Sequence, residues 1–332
     1  MHYAGFYILT PMYQDFNEAD ILEDALQRLS PDLLATLLKD HTRSTPDATR
    51  NIFWATDDYV ELGAGYGYND PILPELITGE RGHVVMPRVK KRKEWQIARS
   101  RGMAEVFTPS WICNAQNNLI DDAWFGRKGV FNEEVTLPDG THSWRTNTMP
   151  VAFPEGKTWR DYVNSNRLEI TCGEAPYIVS RYDTTTGDFI PLSERIGLLD
   201  RKLRVISENV HESGKWLRAA QSAYRHTYAY EWQGDSLLLA REAMLVSFIE
   251  YYRAKFGKMP LTKSLKFIAY VISWNVWQMD GLKYCIPGEE PREPSLFDET
   301  SNLCRIKDWG ATDPKTKRKG TTLTFQELFK KR

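Results

Sequence analysis

Three short segments of the 332-residue chain end in groups able to hold a nucleotide-like cofactor. Leu168-Glu-Ile-Thr-Cys-Gly-Glu-Ala-Pro-Tyr177 reads as a strand running into a small-residue turn, Thr171-Cys-Gly-Glu-Ala175. Such a turn, opening a helix, lets backbone N–H groups approach a ligand closely. Tyr228-Ala-Tyr-Glu231 places a carboxylate at the end of a second short strand, where it can accept both ribose hydroxyls of an adenosyl group. A third strand-like run, Val271-Ile-Ser-Trp-Asn-Val-Trp-Gln-Met-Asp280, ends in a carboxylate suited to an adenine amino group. Each segment also has a plainer reading. One glycine serves a structural turn equally well, Glu231 can cap the helix that follows, and Trp274 with Trp277 can make the third run a core strand.

The elements needed to position these groups are legible in the apolar spacing. Ile21, Leu22, Leu26, Leu29, Leu33, Leu34, Leu37 and Leu38 recur at helical intervals, and Ser30-Pro31 divides them into a helical hairpin. An aromatic, glycine-rich stretch follows, with a strand expected at Asn51 to Asp57 and an irregular loop at Gly63-Ala-Gly-Tyr-Gly-Tyr68. Val89-Lys-Lys-Arg-Lys93 opens a helical stretch from Trp95 to Met103, either as a solvated helix start or as a phosphate contact. Helical spacing over Pro109 to Trp124 gives way to a hairpin insertion near 126–154, around Pro138-Asp-Gly140. Helices are expected at Gly197 to Val210, Lys215 to Arg225, Leu237 to Phe256 and Lys263 to Ala269, with a late strand at Leu303 to Ile306. Lys315-Thr-Lys-Arg-Lys319 reads as a solvated tail.

In order along the chain, Phe107-Thr-Pro109, Leu168 to Tyr177, Tyr230-Glu-Trp-Gln-Gly-Asp235 and Asn275-Val-Trp-Gln-Met-Asp280 resemble the cofactor half of gamma-type adenine-N6 DNA methyltransferases. Leu37-Leu-Lys-Asp-His-Thr-Arg43 and Arg50-Asn-Ile-Phe-Trp-Ala-Thr-Asp57 are similar to a subset of them, the modification subunits of restriction-modification systems. The resemblance implies an α/β, Rossmann-like S-adenosylmethionine-dependent methyltransferase fold over residues 101–332, preceded by a helical and loop region over 1–100. It assigns Phe107, Thr108 and Pro109 to the methionine end of S-adenosylmethionine, and Glu169, Cys172 and Gly173 to its turn. Glu231 would hold the ribose and Asp280 the adenine, with Val276 or Trp277 flanking the ring. DNA is the implied partner, together with a partner subunit or a second copy of the chain.

The Asn/Asp-Pro-Pro-aromatic tetrapeptide that such enzymes use on the target base occurs nowhere in the sequence. Adenine's amino nitrogen is a poor nucleophile, and these enzymes hold the flipped base by stacking and by hydrogen bonds to that nitrogen. At the expected end of a fourth strand stands Leu303-Cys-Arg-Ile-Lys-Asp-Trp-Gly310, in which Asp308 and Trp309 supply a carboxylate and a stacking face without the prolines. They are the candidate catalytic pair; the plainer reading is a surface strand end with an anchoring Trp. The chain runs on only to Arg332, so three alternatives stand: a compact enzyme, a subunit completed by a partner, or a regulatory DNA-binding protein that keeps the fold without methylating.

Bulk properties narrow the field. A formal net charge of -1 confines any DNA contact to local patches. Cys113, Cys172, Cys285 and Cys304 lie far apart with no CxxC pair and no His at ligand spacing, which points to neither a metal site nor a disulfide framework. No apolar run approaches membrane-spanning length, and no basic segment precedes the opening apolar stretch, so a cytoplasmic protein is expected.

Overall fold

Ser30-Pro31 separates two short helices, α1 (Glu23–Leu29) and α2 (Pro31–Leu38), with the proline at the first turn of the second. There its missing N–H costs nothing. Leu26, Leu33, Leu34, Leu37 and Leu38 from the pair are fully buried in the main core. The computed structural model describes residues 18–93, 96, 99–100, 107–292, 301–312 and 319–330. The expected helix over Trp95 to Met103 and the basic run at 315–319 fall largely outside these residues.

Two residues of β1 (Lys39–Asp40) pair antiparallel with β2 (Arg50–Asn51), and the expected strand beyond is reduced to one bridge, Phe53 to Pro71. Helix α3 (Ser110–Phe125) ends at Gly126 in the left-handed conformation. The hairpin expected around Pro138-Asp-Gly140 is β3 (Asn132–Thr136) paired with β4 (His142–Thr146). Then come α4 (Trp159–Val163), β5 (Arg167–Glu169), α5 (Leu198–Asn209), α6 (Ser213–Arg225), β6 (Thr227–Glu231), α7 (Gly234–Phe256), α8 (Thr262–Asn275) and β7 (Val276–Gln278).

Strands β5, β6 and β7 form a three-stranded parallel sheet in that order, with Leu168 opposite Tyr228 and Tyr230 opposite Trp277. The molecule is therefore mixed α/β. One face of the sheet carries Ala229 and Val276 into the core, against α7 and α8. The opposite face presents Tyr228, Tyr230 and Trp277 to an antiparallel ribbon, β8 (Arg305–Thr312) with β9 (Lys319–Thr324), followed by α9 (Glu327–Lys330). Helix α7 is buried almost throughout its 23 residues, so its sequence shows no single apolar stripe.

Two expectations fail here for a common reason. The turn after β5 opens no α-helix; residues 170–197 hold only a Tyr182–Phe189 bridge and a 3-10 turn at Leu192–Glu194 before α5 begins at Leu198. The run Val271 to Asp280 is mostly not a strand, because α8 continues through Asn275 and leaves three residues to β7. A short apolar run buried on all sides carries no period by which helix and strand can be told apart.

Candidate functional site

The turn after β5 is bent by three left-handed residues, Thr171 (φ 46°), Gly173 (φ 52°) and Ala175 (φ 59°). Gly173 takes this conformation freely; the other two pay about 1–3 kcal/mol each, strain that persists only where its surroundings hold it. The holding group is Glu231. Its Oε2 accepts the Gly173 N–H at 2.7 Å, and its Oε1 accepts those of Trp232 at 2.8 Å and Gln233 at 3.3 Å. One carboxylate thus fastens the β5 turn to the end of β6. Burial raises the pKa of Glu231, against the pull of these three donors. A carboxylate has about four acceptor positions, and three are taken, so Glu231 can receive one further hydroxyl and not the two expected.

Phe107-Thr-Pro109 meets this turn from a distant part of the chain. A Cβ placed on Gly173 would lie 3.9 Å from Cζ of Phe107, and the Arg88 guanidinium lies 4.9 Å from the centre of the same ring. Pro109 leads into α3, and the Ser110 N–H is taken by Oδ2 of Asp183 at 2.7 Å. The Thr108 carbonyl accepts Thr184 Oγ1 at 3.2 Å. Glu169 closes the group from below: it is buried, its Oε1 receives a long 3.4 Å bond from the Tyr177 N–H, and its Oε2 has no partner. Burial pushes its pKa up, against the pull of the backbone N–H groups of Tyr177 and Ile178. The Cys172 thiol beside it is buried and likewise pushed up by desolvation, which keeps it unreactive.

Asp280 follows β7 at the same end of the sheet. Its Oδ1 accepts the N–H groups of Leu282 at 2.8 Å and Lys283 at 3.0 Å, and its Oδ2 carries no hydrogen bond among the described residues. Two residues unassigned from sequence stand between Asp280 and Glu231. Trp232 directly follows Glu231, and near it Tyr68 arrives on the loop expected at Gly63 to Tyr68 and packs 6.2 Å from Phe53. The aromatic and glycine content of that loop was the available signal. Trp277 does not flank this space; it lies on the other face of the sheet, packed on Tyr230 and Phe325. Val276 is buried in the core at the start of β7. At the end of β7, Gln278 clamps the backbone of Phe53, accepting its N–H at 3.1 Å and donating to its carbonyl at 2.8 Å.

Of the basic cluster at 89–93, Lys90, Arg92 and Lys93 are exposed, and Lys91 alone turns inward. Lys91 is buried with its Nζ 3.0 Å from Oδ2 of Asp235, which also receives Arg99 at 2.9 Å and the Tyr59 hydroxyl at 2.7 Å. Burial would raise the pKa of Asp235, but Arg99 and Lys91 outweigh it and hold the carboxyl well below its ordinary range. Neither a solvated helix start nor a phosphate contact describes Lys91.

Asp308 and Trp309 are not at a strand end and not with the other residues. They lie inside β8, where Asp308 Oδ1 accepts the Gly310 N–H at 3.0 Å and the buried Trp309 donates its ring N–H to Oδ1 of Asn275 at 2.7 Å. Asn275 precedes β7, and its Nδ2 donates to the carbonyls of Tyr224, Arg225 and Thr227 at the start of β6. Trp309 therefore belongs to the amino end of the sheet, whereas Glu169, Gly173, Glu231 and Asp280 belong to its carboxyl end. The length of β6, about 3.3 Å per residue, separates them.

No protein-family model, curated protein or solved structure matches the chain. Among the described residues, no helix is long and apolar enough to cross a membrane.

Proposed function

We propose that the chain is the cofactor-holding part of an S-adenosylmethionine-dependent adenine-N6 DNA methyltransferase of the restriction-modification type, with a Rossmann-like sheet in β5, β6 and β7. The observation that carries this reading is the meeting of Phe107 with the Gly173 turn, while Glu231 and Asp280 follow in order at the ends of the next two strands. Ligands of open α/β sheets bind outside the carboxyl ends of the strands, where these groups stand.

The residues present fit the cofactor in kind. Glu169 has an oxygen without a partner, Glu231 has one acceptor position left, and Asp280 keeps Oδ2 for an amino group. Trp232 and Tyr68 offer aromatic surface between the last two. When bound, S-adenosylmethionine supplies an electrophilic methyl group on a sulfonium. The chain's own contribution is positional: Glu231 locks the turn, and Phe107 covers the glycine.

Glu231→Ala should weaken S-adenosylmethionine binding about 10- to 100-fold by calorimetry, the equivalent of about 1–3 kcal/mol for a hydrogen bond to a charged group. An unchanged affinity would remove Glu231 from the site. A second reading is favoured by the position of Asp308 and Trp309 at the wrong end of the sheet: a methyltransferase-fold protein that binds DNA or regulates without transferring a methyl group. Labelled methyl transfer to DNA, measured with the purified chain alone and with the products of adjoining genes, separates the two.

A further inference from the structure

A cavity of about 1220 Å³ opens between the β3–β4 hairpin, the turn at Leu192–Glu194 and one face each of α5 and α7. None of the residues assigned above to the cofactor lines it. It is large enough for a small organic ligand, whose sites usually measure roughly 300–1,000 Å³.

Its walls differ in kind. Val135, Leu137 and Leu192 make one side apolar, and Trp144 is fixed there by donating its ring N–H to the Glu194 carbonyl at 2.8 Å. On the α5 side the charged groups are already spent. Arg204 and Glu208 pair at 2.8 Å, Arg204 also reaches the Asn147 carbonyl at 2.6 Å, and Oε2 of Glu208 accepts the Val151 N–H at 2.9 Å. These bonds pin the end of the hairpin to α5 and leave the ion pair neutral as a whole.

The α7 side is different. Tyr251 and Lys255 stand one helical turn apart and so share a face. Tyr251 lines the cavity at 6% exposure, and its hydroxyl has no hydrogen-bond partner among the described residues. A buried polar group left in this state calls for a partner from outside the fold. The Lys255 ammonium gives one N–H to the Ser207 carbonyl at 2.6 Å and one to Nδ1 of His211 at 3.3 Å. It has no carboxylate partner among the described residues, and its third N–H remains.

An apolar wall that faces a hydroxyl donor and an ammonium without a counter-ion suits an anion with a hydrocarbon body. Two donors match the two oxygens of a carboxylate. We propose that the cavity binds an organic carboxylate, its hydrocarbon part against Val135, Leu137 and Trp144 and its oxygens on the Tyr251 hydroxyl and the free Lys255 N–H. The site stands apart from the methyltransferase reading and does not depend on it.

The test is calorimetry on the full chain with naphthoate and octanoate as probes, beside the corresponding alcohols. At least one acid should bind at least about tenfold more tightly than its alcohol, and Lys255→Met should remove most of that difference. Tyr251→Phe deletes only a hydroxyl without a partner, so it should leave the urea midpoint in place while weakening the acid at least about fivefold. Leu137→Glu, at a position 44% exposed, adds a repelling charge at the apolar wall and should weaken the acid by a similar factor. Saturating S-adenosylmethionine should displace neither acid. Absence of saturable binding of both acids at millimolar concentration, an alcohol that binds as tightly as its acid, an affinity untouched by Tyr251→Phe and Lys255→Met, or displacement by S-adenosylmethionine would each overturn the proposal.

Discussion

At the amino end of the parallel sheet, Asn275 and Lys202 give their donors to backbone carbonyls. Asn275 gives its amide to three carbonyls and its oxygen to Trp309, and the Lys202 ammonium nitrogen reaches the carbonyls of Ser165 at 2.6 Å and His226 at 2.9 Å. At the carboxyl end the same sheet carries three carboxyl groups, a left-handed Thr and Ala, and oxygens with acceptor positions to spare. The first end is a fastening built from side-chain donors on strand-start carbonyls. The second stores strain and keeps polar capacity open.

The sharpest way to break this contrast is Asn275→Ala. It strands three buried carbonyls and an indole N–H, and unfolding in urea should show a loss of about 3–5 kcal/mol with S-adenosylmethionine affinity unchanged in the folded fraction. Loss of affinity instead would mean that the two ends are not separate. Next come two substitutions with opposite pH signatures. The pKa of Glu169 is raised by burial, so the stability it contributes is full below its unfolded value and is lost as pH rises through the folded one. Lys202 is depressed by burial, so its share is present above its unfolded value and lost as pH falls. Glu169→Gln should therefore stabilise most at alkaline pH, and Lys202→Met, which strands the carbonyls of Ser165 and His226, should cost least toward acid, both read from urea midpoints across pH. The smallest effect belongs to Trp309→Phe. Losing one hydrogen bond to Asn275 should cost about 1 kcal/mol and leave methyl transfer intact; abolished transfer in a stable variant would return the pair Asp308 and Trp309 to the chemistry.

Much of the frame could be read from residue spacing. The leucine intervals and Ser30-Pro31 gave the first two helices, the turn residues at 138–140 gave the hairpin, and Tyr228 to Glu231 gave the central strand. Where the reading failed, long-range pairing had overridden local pattern. Lys91 looks like a solvated cation beside its basic neighbours, and only the fold reveals Asp235, Arg99 and Tyr59 around it. Trp309 looks like a stacking face until Asn275 is seen to hold its ring nitrogen. Glu231 was placed correctly at the strand end, but its binding of the Gly173 N–H depends on a φ that no spacing records.

The clamp between Phe53 and Gln278 also bears on how the chain is made. A Cβ on Gly234 would come within 2.1 Å of the Phe53 carbonyl oxygen, so that residue is seated between α7 and β7 and has no other place in the fold. Its partner amide lies 225 residues later. At ribosomal rates of about 5–20 residues per second, that interval is roughly 10–45 s. For that time the segment around Phe53, Trp54, Tyr59 and Tyr66, all buried in the finished protein, is out of the ribosome without its final neighbours. A slowed ribosome would lengthen the wait of Phe53 for Gln278 in direct proportion.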